Sequence, residues 1–156
     1  MTKKPAEKSD ASKYWLLKSE PEAFSWEQQK ARGKAGEPWT GVRNYLARNN
    51  MRAMEKGDLG FFYHSNEGLE IAGVVKVIGT ARAEPGDETG KWSCVDVAAV
   101  CDMPKAVTLA AVKANPKLAK MSLVTCSRLS VQPVTAAEWE EVCRMGGLDL
   151  GKIKRK

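Results

Sequence analysis

The sequence predicts an α+β fold, a small mixed β-barrel of about five to six strands with helices on its outside. Two observations carry that prediction. Short apolar runs that read as strands recur at close spacing, around 14–17, 59–64, 71–78 and 92–101. Between them, helix-start signatures are inserted at irregular intervals instead of alternating with every strand.

Tyr14-Trp15-Leu16-Leu17 reads as a buried strand, ended by Lys18-Ser19-Glu20-Pro21 because Pro21 removes a ladder donor and restricts Glu20. Ser25 with Gln28 three residues on forms a capping-box pattern that opens a short helix over roughly 26–32, with Phe24 placed to pack across its start. Gly33 to Pro38 reads as loop. The stretch from Trp39 to Arg52 begins in that loop and becomes helical: Ala47, Met51 and Met54 form an apolar stripe, and Asn44, Arg48 and Arg52 a polar, cationic one beside it. Lys56-Gly57-Asp58 is a turn, Leu59 to His64 a strand, Ser65-Asn66-Glu67-Gly68 a hairpin loop, and Ile71 to Ile78 the returning strand. Residues 83–91 form a loop, and Trp92 to Cys101 another strand. A short helix is expected around 109–113, then one or two strands between Met121 and Pro133. Thr135 with Glu138 repeats the capping box, opening a helix that presents Trp139, Val142 and Cys143 and stops at Gly146-Gly147.

At 156 residues the chain is long enough for one domain with a real core. Residues 13–148 are expected to form that domain, with a disordered basic tail over 1–12 and a second basic tail over 149–156. No apolar run reaches the length of a membrane span and the N-terminus lacks a signal-peptide core, so a soluble, cytoplasmic protein is expected. The net charge of +6 resides mostly in the ends, +2 in residues 1–13 and +3 in residues 149–156. A body near neutrality argues against a wide groove gripping many phosphates and leaves room for a local binding cleft. The four cysteines, Cys94, Cys101, Cys126 and Cys143, contain no C-x-x-C pair, and the single His64 cannot complete a zinc set. They read as reduced and mostly buried, with no metal and no cofactor expected.

The chain carries no phosphate loop, dinucleotide fingerprint or G-x-S-x-G elbow, and no catalytic residue is assigned. His64, at a strand end beside Ser65 and Asn66, is the one side chain that ordinarily titrates near neutrality. Polar groups and aromatics do recur at element ends: Lys18-Ser19-Glu20, Trp39, Arg43-Asn44, His64-Ser65-Asn66 and Trp92. Brought together, they would supply aromatic faces, hydrogen-bonding groups and a cation, an inventory suited to a flipped-out nucleobase. Spacing alone favours a core Trp39 beside a solvated helix face, Trp15 and Trp26 as packing residues, and Ser65-Asn66 as plain turn chemistry.

Several multi-residue runs resemble one family. They are Trp15-Leu-Leu-Lys-Ser-Glu-Pro21, Trp39-x-Gly-Val-Arg-Asn-Tyr45, Ala47-Arg-Asn49, Met51-Arg52, Gly57-Asp58, Phe61-Phe-Tyr-His-Ser-Asn66 and Ser127-Arg-Leu-Ser-Val-Gln-Pro-Val134. In this order, and with Met145-Gly-Gly147 after the last helix, they resemble the EVE domain family over about residues 14–147. The resemblance implies a PUA-like pseudo-barrel related to PUA, ASCH and YTH domains, and a non-catalytic module reading a modified base, notably a modified cytosine in DNA. Carried onto this chain, Trp39 is the leading cage aromatic and Trp92 a weaker second. Ser19 and Asn66 contact the base edge, with Ser65 beside them, and His64, Arg43 and Asn44 line or brace the pocket. Lys18, with Arg48 and Arg52, meets the phosphate backbone. One departure concerns Ala83-Glu84-Pro85-Gly86-Asp87-Glu88-Thr89, which stands where many members carry a Tyr-Pro-Asp-Pro-like run; it lacks that aromatic, and its acids should repel phosphate. The expected partner is nucleic acid, with a monomeric protein and no membrane. Two other readings remain open, an RNA-binding module for a tRNA or rRNA feature, and an enzyme on a nucleoside-like molecule using His64.

Overall fold

A computed structural model describes residues 14–65 and 68–149. The two basic tails, apart from Asp149, and also Lys13, Asn66 and Glu67 lie outside the described residues. Within the described residues six strands form one mixed sheet: β1 (Tyr14–Ser19), β2 (Glu37–Pro38), β3 (Leu59–His64), β4 (Glu70–Ala83), β5 (Ser93–Thr108) and β6 (Val131–Val134). Their order is β2-β5-β4-β3-β1-β6, with β1 and β3 parallel and every other pair antiparallel. Among the described residues five α-helices lie around the sheet: α1 (Trp26–Ala31), α2 (Tyr45–Ala53), α3 (Leu109–Ala114), α4 (Ser122–Thr125) and α5 (Ala136–Met145).

The α+β class, the strand number and the outer helices match the expectation, but the sheet is not closed, and β2 and β6 stand at opposite edges. Two hydrophobic cores flank it. Leu16, Leu59, Phe61 and Tyr63 meet Val112, Leu123, Trp139 and Val142 in one core; Trp15, Leu17 and Phe62 meet Trp26, Trp39, Ala47 and Met51 in the other. A strand buried on both faces needs apolar side chains at every position, which explains the unbroken runs in β1 and β3.

Local chemistry sets the element ends. Both capping boxes form, Ser25 with Gln28 at α1 and Thr135 with Glu138 at α5. At the end of α5, Gly147 takes a left-handed φ of 72°, and the amides of Gly147 and Leu148 donate back to the carbonyls of Arg144 and Cys143, a Schellman close. Ala47 and Met51 are buried as the stripe required, but Asn44 is the cap of α2 and not part of its polar stripe: its side chain accepts from the Ala47 amide.

Elsewhere the structure departs from the sequence reading. The segment 33–38 contains a 3₁₀ turn and the short β2 instead of plain loop. Between Met121 and Pro133 one expected strand is helix α4, and only β6 remains. Strand β5 runs past its expected end through Pro104. There Gly73 pairs with Asp102 and Ile71 with Val107, so four residues of β5 bulge against Ala72, and a proline that cannot donate is accommodated in that bulge. Among the cysteines Cys94 and Cys143 are buried, Cys101 is half-buried and Cys126 is exposed, all with free thiols.

Candidate nucleobase cleft

The cleft that bears on function lies on the α1/α2 side of the sheet and has a volume of about 480 Å³, within the range of small-molecule sites. Three segments wall it: the end of β1 with its exit (Lys18, Ser19, Glu20, Phe24), the outer face of α1 (Gln28, Arg32), and the strap from Glu37 to Gly41. Trp39 is in the wall, though only 6% exposed. Its indole meets Phe62 edge-on at 5.5 Å between centroids and Phe24 at 6.4 Å. One position therefore combines both sequence-level readings, core residue and cleft wall.

The polar wall is mostly prearranged. Ser19 Oγ donates to the Phe24 carbonyl at 2.5 Å, which commits the hydroxyl proton and leaves the oxygen as an acceptor. Arg32 is held by Glu37, Nε to Oε1 at 2.7 Å, and its guanidinium lies 5.2 Å from the Phe24 ring centroid. Lys18 Nζ donates to the Ser127 carbonyl at 2.6 Å and lies 5.8 Å from the Tyr63 ring centroid. Burial pushes the Lys18 ammonium below its ordinary value. Two acids and two bases line the cleft, so its charge nearly cancels.

Of the sequence-level candidates, the cleft brings together Trp39, Ser19 and Lys18. Ser65 is adjacent through the backbone, its amide donating to the Ser19 carbonyl. His64 stands behind the wall: Nε2 accepts the Trp26 amide at 3.1 Å, which steadies the start of α1. That acceptor role requires a neutral ring, and burial, against a smaller opposing effect of Glu70, keeps the His64 value below the ordinary one. Asn66 lies outside the described residues. Phe24, Gln28, Arg32, Glu37 and Thr40 complete the lining without having been singled out from the sequence. Phe24 and Gln28 did show there, but as capping residues; nothing marked the others.

The remaining candidates form a separate cluster along α2, from its cap to Arg52 in its last turn. Trp92 stacks on Tyr45 at 5.0 Å with 13° between planes. Arg43 is 5.0 Å from the Trp92 ring and Arg48 4.8 Å from the Tyr45 ring. Arg52 Nε donates to Ser93 Oγ, and Arg48 to the Lys91 carbonyl. Beneath them Glu84, 8% exposed, accepts from the Gly41 amide at 2.9 Å and from both terminal nitrogens of Arg43. The hydrogen bond from Arg43 holds the Glu84 carboxyl below the usual carboxylate range, and the Gly41 amide adds to this. The acid of the β4–β5 loop is thus an internal anchor for the strap that carries Trp39.

Among the described residues no cluster of three or more His, Cys, Asp or Glu is placed to hold a metal, and no helix is long and apolar enough to cross a membrane.

Comparison with known proteins bears on the family and the fold. The EVE domain profile matches residues 13–145. Thymocyte nuclear protein 1 of Homo sapiens is 38% identical, over 84% of this chain and 72% of its own length. A crystal structure of a protein from Agrobacterium tumefaciens superimposes with a TM-score of 0.85 at 63% identity, covering 92% of this chain and 97% of that one. The crystal structure of human THYN1 in complex with DNA containing 5-methylcytosine superimposes with a TM-score of 0.79 at 36% identity, covering 87% and 98%.

Proposed function

The chain belongs to the EVE domain family, and on that premise we propose that the cleft beside Trp39 receives a single modified nucleobase, a 5-substituted cytosine in DNA, turned out of its stack. The observation that carries this reading is the cleft itself. An indole and a phenyl ring, Trp39 and Phe24, meet at right angles in a cavity of about 480 Å³ whose polar wall is largely prearranged. The 5-methylcytosine complex of human THYN1 supports the choice of ligand.

The division of labour follows from donor and acceptor chemistry. Ser19 Oγ, Glu20 and Glu37 present acceptors, which suit the exocyclic amine of cytosine and oppose the carbonyl that thymine carries at that position. Gln28 and Thr40 offer donors for its ring nitrogen and carbonyl. A 5-methyl group gains by leaving water for the Trp39 and Phe24 surfaces. Lys18, at the mouth, faces the phosphate. No bond is made or broken in this scheme: the protein binds and discriminates.

Titration of the 15N-labelled protein with 5-methyl-2′-deoxycytidine tests it. Amide shifts concentrated at Ser19, Phe24, Gln28 and Thr40 are expected. Shifts that avoid these residues, or none at millimolar nucleoside, refute the assignment.

A further inference from the structure

Three large apolar side chains are exposed among the described residues, and two of them are neighbours, Tyr45 at 54% and Leu46 at 56%. They occupy the first turn of α2, where side chains lean back toward the helix start and so toward the strap. Thr40 and Gly41 of that strap line the cleft. Tyr45 is four positions on from Gly41, so their Cα atoms are at most about 14 Å apart. That distance spans about four stacked nucleotides at 3.4 Å each.

The patch is stiff and positively charged. Tyr45 is fixed against Trp92, with Arg48 and Arg43 beside the two rings. The acids at this corner are committed inward. Glu84 holds Arg43 and Gly41, and Asp87 accepts from Thr89 and from the Trp92 amide, which depresses its carboxyl to about 2. Arg48 and Arg52 make no ion pair among the described residues, and their hydrogen bonds to Asn49, Ser93 and loop carbonyls leave donors over. An exposed apolar pair with the Arg48 guanidinium beside it, and Arg52 one turn further along the helix, complements a polyanion with apolar faces.

We infer that the start of α2 is a second nucleic-acid contact, which holds the strand flanking the base taken by the cleft, with Tyr45 and Leu46 against base faces and Arg48 and Arg52 toward phosphates. This rests on the cleft reading above and extends it: the cleft selects the base, while the α2 contact supplies affinity without sequence preference. The strand path crosses α2 and keeps clear of exposed Glu88. Tyr45 and Leu46 thereby sit against the bases beside the vacated step.

The test compares Leu46→Ala, Tyr45→Ala and Arg48→Ala/Arg52→Ala with the parent, against a duplex carrying one 5-methylcytosine, the same duplex without the methyl group, and 5-methyl-2′-deoxycytidine. Leu46 belongs to neither core, so its truncation keeps the test valid even where Tyr45→Ala loosens the Trp92 stack. Duplex affinity is expected to fall at least about fivefold in each single variant. The double arginine variant should also flatten the slope of log K against log salt by up to about 1.8. Nucleoside affinity should stay at the parent value. Unchanged duplex affinity overturns the inference, as does an equal loss for duplex and nucleoside. A solution dimer that Leu46→Ala dissolves overturns it too, by making the face a self-association surface. A parent that binds duplex without methyl preference, with variants that lose that binding, refutes modified-base selection and leaves the α2 contact standing. A parent that binds neither ligand refutes both.

Discussion

Replacing Trp39 with alanine should do two separable things. The side chain is 94% buried by its neighbours and packs edge-on against Phe62 and Phe24. Removing an indole so placed costs about 3–5 kcal/mol in cavity and lost transfer energy. A domain of this size has a total stability of about 5–15 kcal/mol, so the variant should fold with a reduced margin. With an m-value of about 2 kcal/mol/M, the urea midpoint should drop by about 1.5–2.5 M, read by far-ultraviolet circular dichroism. Binding measured on the folded protein should lose the stacking contribution of about 1–3 kcal/mol, or about 5- to 150-fold in affinity. Trp39→Phe keeps a ring against Phe62 and should lose less of both. An unchanged urea midpoint for Trp39→Ala would refute the structural assignment. A lowered midpoint with unaltered affinity for 5-methyl-2′-deoxycytidine would refute the cleft as the binding site.

Three further outcomes follow from particular contacts. His64 accepts the Trp26 amide only as a neutral ring, and its folded value lies below 6.5, so the unfolded chain takes the proton more readily. Its stabilising contribution should be full above about pH 6.5 and disappear as pH falls through the lowered folded value; urea midpoints from pH 7.5 to 5 should show this, and His64→Gln should remove that part of the dependence. A Cβ on Gly73 would lie 2.1–2.5 Å from Trp26 ring carbons, and that indole is tied to Asp102 Oδ1 at 2.8 Å; Gly73→Ala should therefore cost about 1–3 kcal/mol or more by overpacking, measured by denaturation. Glu84→Ala should release the strap, so that hydrogen exchange at the Gly41 amide speeds up while amides of β1 and β3 keep their protection.

What the sequence made legible follows from which interactions are local. Capping boxes at Ser25 and Thr135, the glycine stop after Met145 and the apolar stripe of α2 are governed by neighbours within a few residues, and each formed. The boundaries that moved depend on distant partners. Pro104 lies inside β5 because β4 supplies only Ala72 opposite a four-residue bulge. Ser122–Thr125 turns helical where residue preference alone suggested strand, and Gln132 Nε2 donates to the carbonyls of Ser122, Cys126 and Leu129 from across that turn. The open sheet was similarly hidden, because a strand buried on two faces reads alike in a barrel and between two helical layers.

The candidate site divides along the same line. Trp39, Ser19 and Lys18 share a cleft because the Trp39 indole packs on Phe62 and Phe24, which lie beside the end of β1 and its exit. Arg43 and Asn44 share a sequence motif with Trp39, but Glu84 and the cap of α2 direct them to another face, where Trp92 also lies. Glu84, read from the sequence as a repulsive acid, is a buried anchor; nothing local distinguished the two roles, since the distinction rests on Arg43 and Gly41, more than forty residues away in sequence.

Selection of a cytosine by its 5-substituent is read from the ratio of dissociation constants for two duplexes that differ in one 5-methyl group, taken at fixed physiological salt. Burying that methyl against Trp39 and Phe24 is worth about 0.8 kcal/mol, which predicts about fourfold tighter binding of the methylated duplex. Equal constants for the two duplexes would contradict the account.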